Sequence, residues 1–211
     1  MKENLNLEDF KEIINGINET IQENKNFLSK LDSFIGDGDH GITLAKGFSK
    51  AIEDLKVSDP DNISDLLRST GKSLIVTIGG VTGPIFGSLF SEMGKVLDKE
   101  KKSVDIQDLY NMMSGSLNKV MALGGAKPGD KTMVDALYPA VESLRSSLEK
   151  KLSLKQAFED ISAAAKRGAE STKEMVASKG RARYLGERSI GYEDAGANTI
   201  YFIFEVFRKS I

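Results

Sequence analysis

The 211-residue sequence has no cysteine, no tryptophan and one histidine, His40. Without cysteine it has no disulfide, thiolate metal site or cysteine nucleophile, and one histidine cannot build a zinc site of two or three histidines. No run of about 18 apolar residues occurs, and the N-terminal stretch MKENLNLEDF lacks the apolar core of a signal peptide. We therefore expect a cytoplasmic protein that does not enter a membrane.

An excess of charge of one sign is also missing. The chain carries 29 Lys and Arg against 31 Asp and Glu, for a formal net charge of -2. Nucleic-acid binding is therefore not indicated, because it requires a basic surface. The length and a hydrophobic content of 40% suit one globular domain over residues 1–211.

Helical periodicity is present along most of the chain. Asn6 is a predicted N-cap before the first apolar stripe, and Ser153 with Gln156 predicts a capping box for a helix reaching about Ser178. The final stretch, NTIYFIFEVFRKSI, is rich enough in aromatic and β-branched residues for a strand, but without a partner strand we expect a buried helix. Strands that alternate with helices are absent, so the sequence predicts an all-α fold.

The loop GDGDHG, residues 36–41, matches the G-x-G-x-x-G pattern of a dinucleotide-binding turn. The segment before it is helical, so the required strand is missing and the match is coincidental. Asp32, Asp37 and Asp39 would repel a phosphate, whereas Mg²⁺ binds carboxylates and phosphate oxygens together. The alternative is a solvated Asp/Gly turn that caps the next helix.

Two other carboxylate sites do not fit this loop. An EF-hand starting at Asp37 needs Gly and Glu where Ile42 and Phe48 stand. A DDxxD site places its aspartates on a helix face and not in a glycine loop.

A second glycine-rich loop, TIGGVTGPIFG, covers residues 77–87. Thr82 and Pro84 indicate a helix start, and free N–H groups at a helix N-terminus favour anions. The alternative is a tight turn between two helices.

The third loop, LGGAKPGDKTMVDAL, resembles a Walker A sequence, but Asp130 separates Gly129 from Lys131 and no strand precedes it. A P-loop is therefore not expected. Lys127 or Lys131 could supply a cation beside a nucleotide; otherwise the segment is a helix C-cap followed by a solvated turn.

The fourth loop, SKGRARYLGERSIGYEDAGAN, has little apolar periodicity, and long loops in compact domains are usually functional or disordered. Arg181, Arg183 and Arg188 suit phosphate oxygens, whereas a surface salt-bridge network is the alternative.

Together, IGDGDHG, GPIFG, GAKPGDKTMVDAL-PA and KGRARYLGERSIG followed by D-GA resemble the L subunit, or nucleotide-binding domain, of dihydroxyacetone kinases. The resemblance implies a barrel of eight antiparallel helices with nucleotide bound by loops at one end. It also implies that Asp32, Asp37 and Asp39 hold two Mg²⁺ on the phosphates of ADP or ATP. The implied nucleotide-binding residues are His40, Gly41, Ile42, Thr43, Val81, Thr82, Gly124, Met133, Arg181, Asp194, Ala195 and Gly196. The implied catalytic residues are Asp37, Asp39, His40 and Arg181.

The 211 residues leave no room for a dihydroxyacetone-binding domain, so the resemblance points to the phosphotransferase-system type. It implies a phosphoenolpyruvate–glycerone phosphotransferase subunit that works with a phosphohistidine-carrying M subunit and a dihydroxyacetone-binding K subunit. A nucleotide-sensing subunit that binds a transcriptional regulator is an alternative, as is a paralogue acting on another ketose or triose. A homodimer is left open.

Three residues of the fourth loop depart from the family pattern: Tyr192 replaces the usual His, Ala195 the usual Pro, and Arg183 a small residue. His40 invites a phosphohistidine interpretation. We expect instead that it orients a phosphate or ribose oxygen by hydrogen bonding, because Asp39 beside it should hold metal.

Overall fold

The computed structural model describes residues 2–211, and most of them are helical. The α-helices of this part of the chain are α1 Leu7–Ile35, α2 His40–Ser58, α3 Ile63–Thr77, α4 Thr82–Val96, α5 Ile106–Gly124, α6 Val134–Glu149, α7 Leu154–Ser171 and α8 Ala195–Lys209. Two 3-10 segments, Thr172–Glu174 and Ala182–Ser189, lie between α7 and α8. The predicted all-α fold is confirmed.

The helices form a closed barrel. Each helix packs against the next, and α8 packs against both α7 and α1. Most connections between packed neighbours are short, which makes those successive helices antiparallel, whereas α7 and α8 are joined by the long fourth loop. Phenylalanines fill the interior, where Phe158 stacks on Phe207 at 5.3 Å between ring centroids and Phe10 meets Phe207 edge-on at 6.3 Å. A core cavity lined by Phe90, Phe204 and Phe207, among others, measures only about 20 Å³, which is far too small for a nucleotide.

The predicted helix starts are confirmed by their caps. Asn6 and Asp9 form a reciprocal capping box at the start of α1, and Ser153 and Gln156 form another at the start of α7. The C-terminal stretch is helical, as expected, and α8 turns a buried apolar face towards the barrel interior. These local signals therefore predict the elements correctly.

One expectation needs correction. Helix α7 ends at Ser171 and not near Ser178, because residues 172–174 tighten into a 3-10 turn and the Thr172 carbonyl accepts a hydrogen bond from Lys131 Nζ at 2.7 Å. A minimal strand pair also exists: Leu5–Asn6 pairs antiparallel with Ser103–Val104. Leu5 and Val104 face each other and are fully buried, so this pair ties the N-terminal segment to the α4–α5 connection.

Over residues 2–211, none of the helices combines the length and apolar character needed to cross a bilayer.

Candidate functional site

An open cavity of about 1120 Å³ lies at one end of the barrel. Its lining comes from residues 32–46, 77–86, 120–134 and 179–196, so the four loops singled out in the sequence meet at one place. The cavity is lined by all but one of the residues that the resemblance assigns to nucleotide or metal: Asp32, Asp37, Asp39, His40, Ile42, Thr43, Val81, Thr82, Gly124, Met133, Arg181, Asp194, Ala195 and Gly196.

The exception is Gly41, which is buried where α2 begins against α1. A Cβ at this position would collide with the carbonyl oxygen of Lys25. Gly38 in the same loop has a φ of 77°, a conformation that side chains other than glycine rarely adopt. These glycines therefore let the loop turn sharply and bring α2 close to α1.

Asp32, Asp37 and Asp39 form the acidic side of the cavity. Each offers a carboxylate oxygen, and these oxygens lie within 4.8 Å of one another. Asp39 is the N-cap residue of α2, yet its side chain makes no capping hydrogen bond. Burial raises the pKa of Asp32, and the charges of Asp37 and Asp39 raise it further. Three clustered, mutually repelling oxygen ligands fit a hard divalent cation such as Mg²⁺.

Arg181 connects the fourth loop to this cluster. Its Nη1 lies 2.7 Å from Oδ2 of Asp37, although the Arg181 side chain is 73% exposed. The guanidinium therefore neutralises one of the three carboxylates. Because the side chain is exposed and has no other ion pair among the described residues, it can turn towards a phosphate when one is present.

His40 is fixed from the side of α8. Its Nε2 lies 2.9 Å from the hydroxyl oxygen of Thr199, and that hydroxyl donates to the carbonyl of Ala195 at 2.9 Å. This assigns Nε2–H as a donor and leaves Nδ1 as an acceptor. Burial lowers the pKa of His40 to about 4, so the ring is neutral at pH 7. A neutral ring with this tautomer can accept a hydrogen bond from a ribose hydroxyl at Nδ1, but it has no free N–H to donate to a phosphate oxygen.

The start of α4 provides main-chain donors. Its N-cap, Val81, makes no side-chain capping hydrogen bond, and Gly80 before it has a φ of 66°. Val81 and Thr82 both line the cavity. The first N–H groups of α4 therefore have no side-chain cap, the arrangement that favours an anion.

Neither lysine of the third loop offers a free ammonium to the cavity, although Lys131 is part of the lining. The Lys131 residue is 2% exposed and its Nζ donates to main-chain carbonyls. Lys127 is exposed and is not part of the cavity lining. That interpretation is wrong for Lys131, because its ammonium is already bonded within the protein.

Asp194 begins α8 and caps it, accepting the Ala197 N–H at 2.7 Å on Oδ2. Burial raises its pKa to about 7. Its neighbours Ala195 and Gly196 line the cavity beside Met133, and a Cβ on Gly196 would lie 3.4 Å from the Met133 Cβ.

Two of the three departures from the family pattern have clear surroundings. Tyr192 stacks on Phe34 near the end of α1, with ring centroids 4.6 Å apart. The Arg183 guanidinium lies over the ring of the exposed Tyr184, at 4.7 Å. Arg183 lines the cavity, whereas Tyr192 does not. The Tyr192 ring is therefore used in packing at the base of the first loop.

The lining includes residues that sequence reasoning missed. Lys46 and Lys179 are cations of the cavity wall, and Ile85, Phe86 and Leu123 give it an apolar side. Lys46 follows Ile42 and Thr43 by one helical turn, so the helix period could have identified it.

Comparison with known proteins places these features in one family. The family described as the DAK2 domain matches residues 34–209. The chain is 42% identical over 180 residues to the ADP-binding subunit DhaL of the PEP-dependent dihydroxyacetone kinase of Escherichia coli (strain K12), a match that covers 85% of each chain. It is 36% identical over 197 residues to the ADP-binding subunit DhaL of PEP-dependent dihydroxyacetone kinase 1 of Listeria innocua serovar 6a, covering 93% of each.

A solved structure has the same fold. The dihydroxyacetone kinase from C. freundii in complex with AMP-PNP and Mg²⁺ superposes with a TM-score of 0.71 at 27% identity. The match covers 94% of this chain and 33% of that chain, so the similarity concerns about a third of the larger protein.

Proposed function

Because the chain belongs to the DAK2 domain family, we propose that it is the ADP-binding subunit of a phosphoenolpyruvate-dependent dihydroxyacetone kinase. In this proposal a phosphoryl group passes from a phosphohistidine on an M subunit, by way of the nucleotide held here, to dihydroxyacetone on a K subunit. One observation carries the proposal: three clustered carboxylates and an arginine lie at the wall of a cavity large enough for a nucleotide.

Asp32, Asp37 and Asp39 would hold two Mg²⁺. When bound, the metal supplies positive charge that neutralises the phosphate oxygens. The residues fit this role because their oxygens lie within 4.8 Å of one another and include the uncapped carboxylate of Asp39. Arg181 would leave Asp37 and contact the transferred phosphoryl group, where a fork of N–H donors matches the phosphate oxygens.

The remaining cavity wall suits the rest of a nucleotide. The N–H groups at the start of α4 would bind phosphate, and Lys46 and Lys179 would add positive charge. The apolar side, formed by Ile85, Phe86, Leu123 and Met133, would take the adenine ring. Nδ1 of His40 would accept a hydrogen bond from a ribose hydroxyl, given the tautomer set by Thr199.

Two measurements test the proposal. Native mass spectrometry of the purified chain should detect retained ADP with two Mg²⁺, and mixing with purified K and M subunits should phosphorylate dihydroxyacetone. Asp39→Asn should retain neither ADP nor Mg²⁺, whereas the matched control Asp160→Asn, on an exposed position of α7, should behave as wild type. Nucleotide binding without turnover would favour the regulatory alternative, and turnover of another ketose would favour the paralogue. Absence of any nucleotide binding would reject all three.

A further inference from the structure

Lys131 is a buried lysine with an unusual set of partners. Its Nζ lies 2.7 Å from the carbonyl oxygen of Thr172, 3.2 Å from that of Met175, 2.8 Å from that of Ser189 and 2.6 Å from that of Tyr192. No carboxylate lies within ion-pair distance of this ammonium in the part of the chain that the structure describes. An ammonium has three protons, so at least one of them is shared between two of the four carbonyls.

These carbonyls belong to the two ends of one loop. Thr172 and Met175 lie where the chain leaves α7, and Ser189 and Tyr192 lie where it approaches α8. Arg181 is in the middle, six residues after Met175 and eight before Ser189. The ammonium therefore joins the entering and leaving ends of the segment that carries Arg181, and closes the loop at its base.

Further hydrogen bonds attach the same loop to the third loop. The Ser178 hydroxyl donates to Oδ1 of Asp130 at 2.7 Å, and the Ser178 N–H donates to the Asp130 carbonyl at 3.2 Å. Asp130 and Lys131 are consecutive, so the sequence GDKT holds the loop between α7 and α8 at both of its ends through Lys131 and at Ser178 through Asp130. This explains its aspartate and lysine without a phosphate contact.

Both the burial of the Lys131 ammonium and its backbone conformation are unfavourable in free energy. Burying an ammonium is unfavourable unless it is bonded, and burial lowers the pKa of Lys131 while Asp194 and Glu193 oppose that shift. The residue also has a φ of 60°, in the left-handed region where side chains are strained. Such a conformation persists only when its surroundings hold it, and here the four carbonyls do.

We propose that Lys131 is a positioning residue of the nucleotide site, whose ammonium fixes residues 175–192 so that Arg181 faces Asp37. The inference deepens the proposed function and rests on it for the ligand, but the fixing of the loop stands on the structure alone. The proposal also predicts that an added cation can rescue a variant that lacks the ammonium. Four carbonyls without a carboxylate resemble a monovalent cation site, so a free ammonium or potassium ion should partly replace the lost side chain.

The test compares Lys131→Met with Lys127→Met, a lysine in the same loop whose side chain is exposed. Hydrogen exchange should become at least about tenfold faster in residues 175–192 of Lys131→Met, as expected for loss of a charged hydrogen bond, and stay unchanged in α1 to α4. The Kd of Mg–ADP should rise about tenfold. Ammonium chloride should recover part of both effects, and tetramethylammonium chloride at equal ionic strength should not. If Lys131→Met has the hydrogen-exchange rates and the Mg–ADP affinity of the wild type, the proposal is overturned.

If Lys131→Met does not fold, the absence of cysteine provides a second test. Lys131→Cys has a single thiol, which can be alkylated in denaturant by bromoethylamine or by iodoethane before refolding. The first reagent restores an ammonium on a side chain of equal length and the second adds a neutral ethyl group. Hydrogen exchange in residues 175–192 should be as slow as in wild type only in the bromoethylamine product, which carries the ammonium. Equal exchange rates in the two alkylated proteins would reject the role of the charge. If the wild-type chain itself does not bind Mg–ADP, the proposed function fails, and the exchange data still decide the role of Lys131.

Discussion

The guanidinium of Arg181 lies 2.7 Å from the carboxylate of Asp37, so a cation of the fourth loop neutralises an anion of the first. A divalent cation and Arg181 would therefore compete for the same carboxylate, and phosphate oxygens would offer Arg181 a new partner. The pair thus links metal binding to the position of the arginine.

Arg181→Gln should separate these two roles. Without the competing guanidinium, the Mg²⁺ affinity of the nucleotide-free protein should rise by about threefold, the scale of an exposed ion pair. Phosphoryl transfer in the reconstituted system should fall on the order of 100-fold, because a donor to the transferring group is lost. Calorimetric Mg²⁺ titration and a coupled turnover assay measure the two effects. Arg145→Gln, whose exposed arginine pairs with Glu142, is the control; weaker Mg²⁺ binding in Arg181→Gln would contradict the competition.

Asp37→Asn should leave the nucleotide-free protein folded, with stability within about 1 kcal/mol of wild type, because its exposed ion pair contributes little. The stabilisation that Mg–ADP gives should largely vanish, whereas wild type should gain about 2.7 kcal/mol at a ligand concentration of 100 times Kd. Thermal unfolding with and without Mg–ADP measures both quantities. Equal shifts in the two proteins would count against the metal assignment.

Asp194→Asn should flatten the pH dependence of stability. Burial raises the pKa of Asp194 to about 7, so the folded state holds a proton that the unfolded state has lost above its ordinary pKa near 3.8. Wild-type stability due to this group is therefore full below about pH 4, falls as the pH rises to about 7, and changes little beyond. Asparagine can still cap α8 through its side-chain oxygen. Chemical denaturation between pH 4 and 8 should show a smaller decline in the variant; parallel curves would reject the buried-carboxyl interpretation.

His40 should not carry phosphate covalently. After incubation with M subunit and labelled phosphoenolpyruvate, denaturation should release the label with nucleotide. His40→Ala should weaken nucleotide binding or slow transfer without abolishing either, since the ring supplies an acceptor and packs its edge near Phe86 at 5.9 Å. Acid-labile phosphate that stays on the polypeptide, and is lost in His40→Ala, would establish a carrier protein instead.

Lys46→Met should raise the Kd of ADP about fivefold, the scale of one partly exposed charge-assisted contact. The effect should shrink as salt concentration increases, because exposed charges are screened. Lys50→Met, one turn further along α2 and paired with Asp54 at 2.6 Å, is the matched control. Calorimetric titration with ADP at low and high salt measures the Kd of each variant and its salt dependence. If both variants bind ADP as wild type does, Lys46 is a solvated residue of the rim.

The sequence predicts those parts of the fold that depend on nearby residues. The capping boxes at Asn6 and Ser153 and the apolar face of α8 are local, and they define helix starts correctly. The clustering of Asp32, Asp37 and Asp39 is nearly local as well, because eight residues of one helix end and loop contain all three.

The parts that were missed depend on distant residues. The partners of Lys131 lie 41 to 61 positions away, so a pattern around GDKT gives no sign that its ammonium points inwards. The end of α7 depends on the same distant contact, so its local pattern predicts a longer helix than the structure has. The tautomer of His40 depends on Thr199, 159 positions along the chain, and could not be inferred from the glycine loop that contains it.

The long sequence separation between His40 and Thr199 affects how the protein folds during its synthesis. α8 closes the barrel and holds His40 through Thr199, so the cavity is incomplete until α8 has been synthesised. Contacts this distant in sequence form late and slow down folding. A nascent chain that ends before α8 therefore lacks part of the cavity wall, and nucleotide cannot assist its early folding.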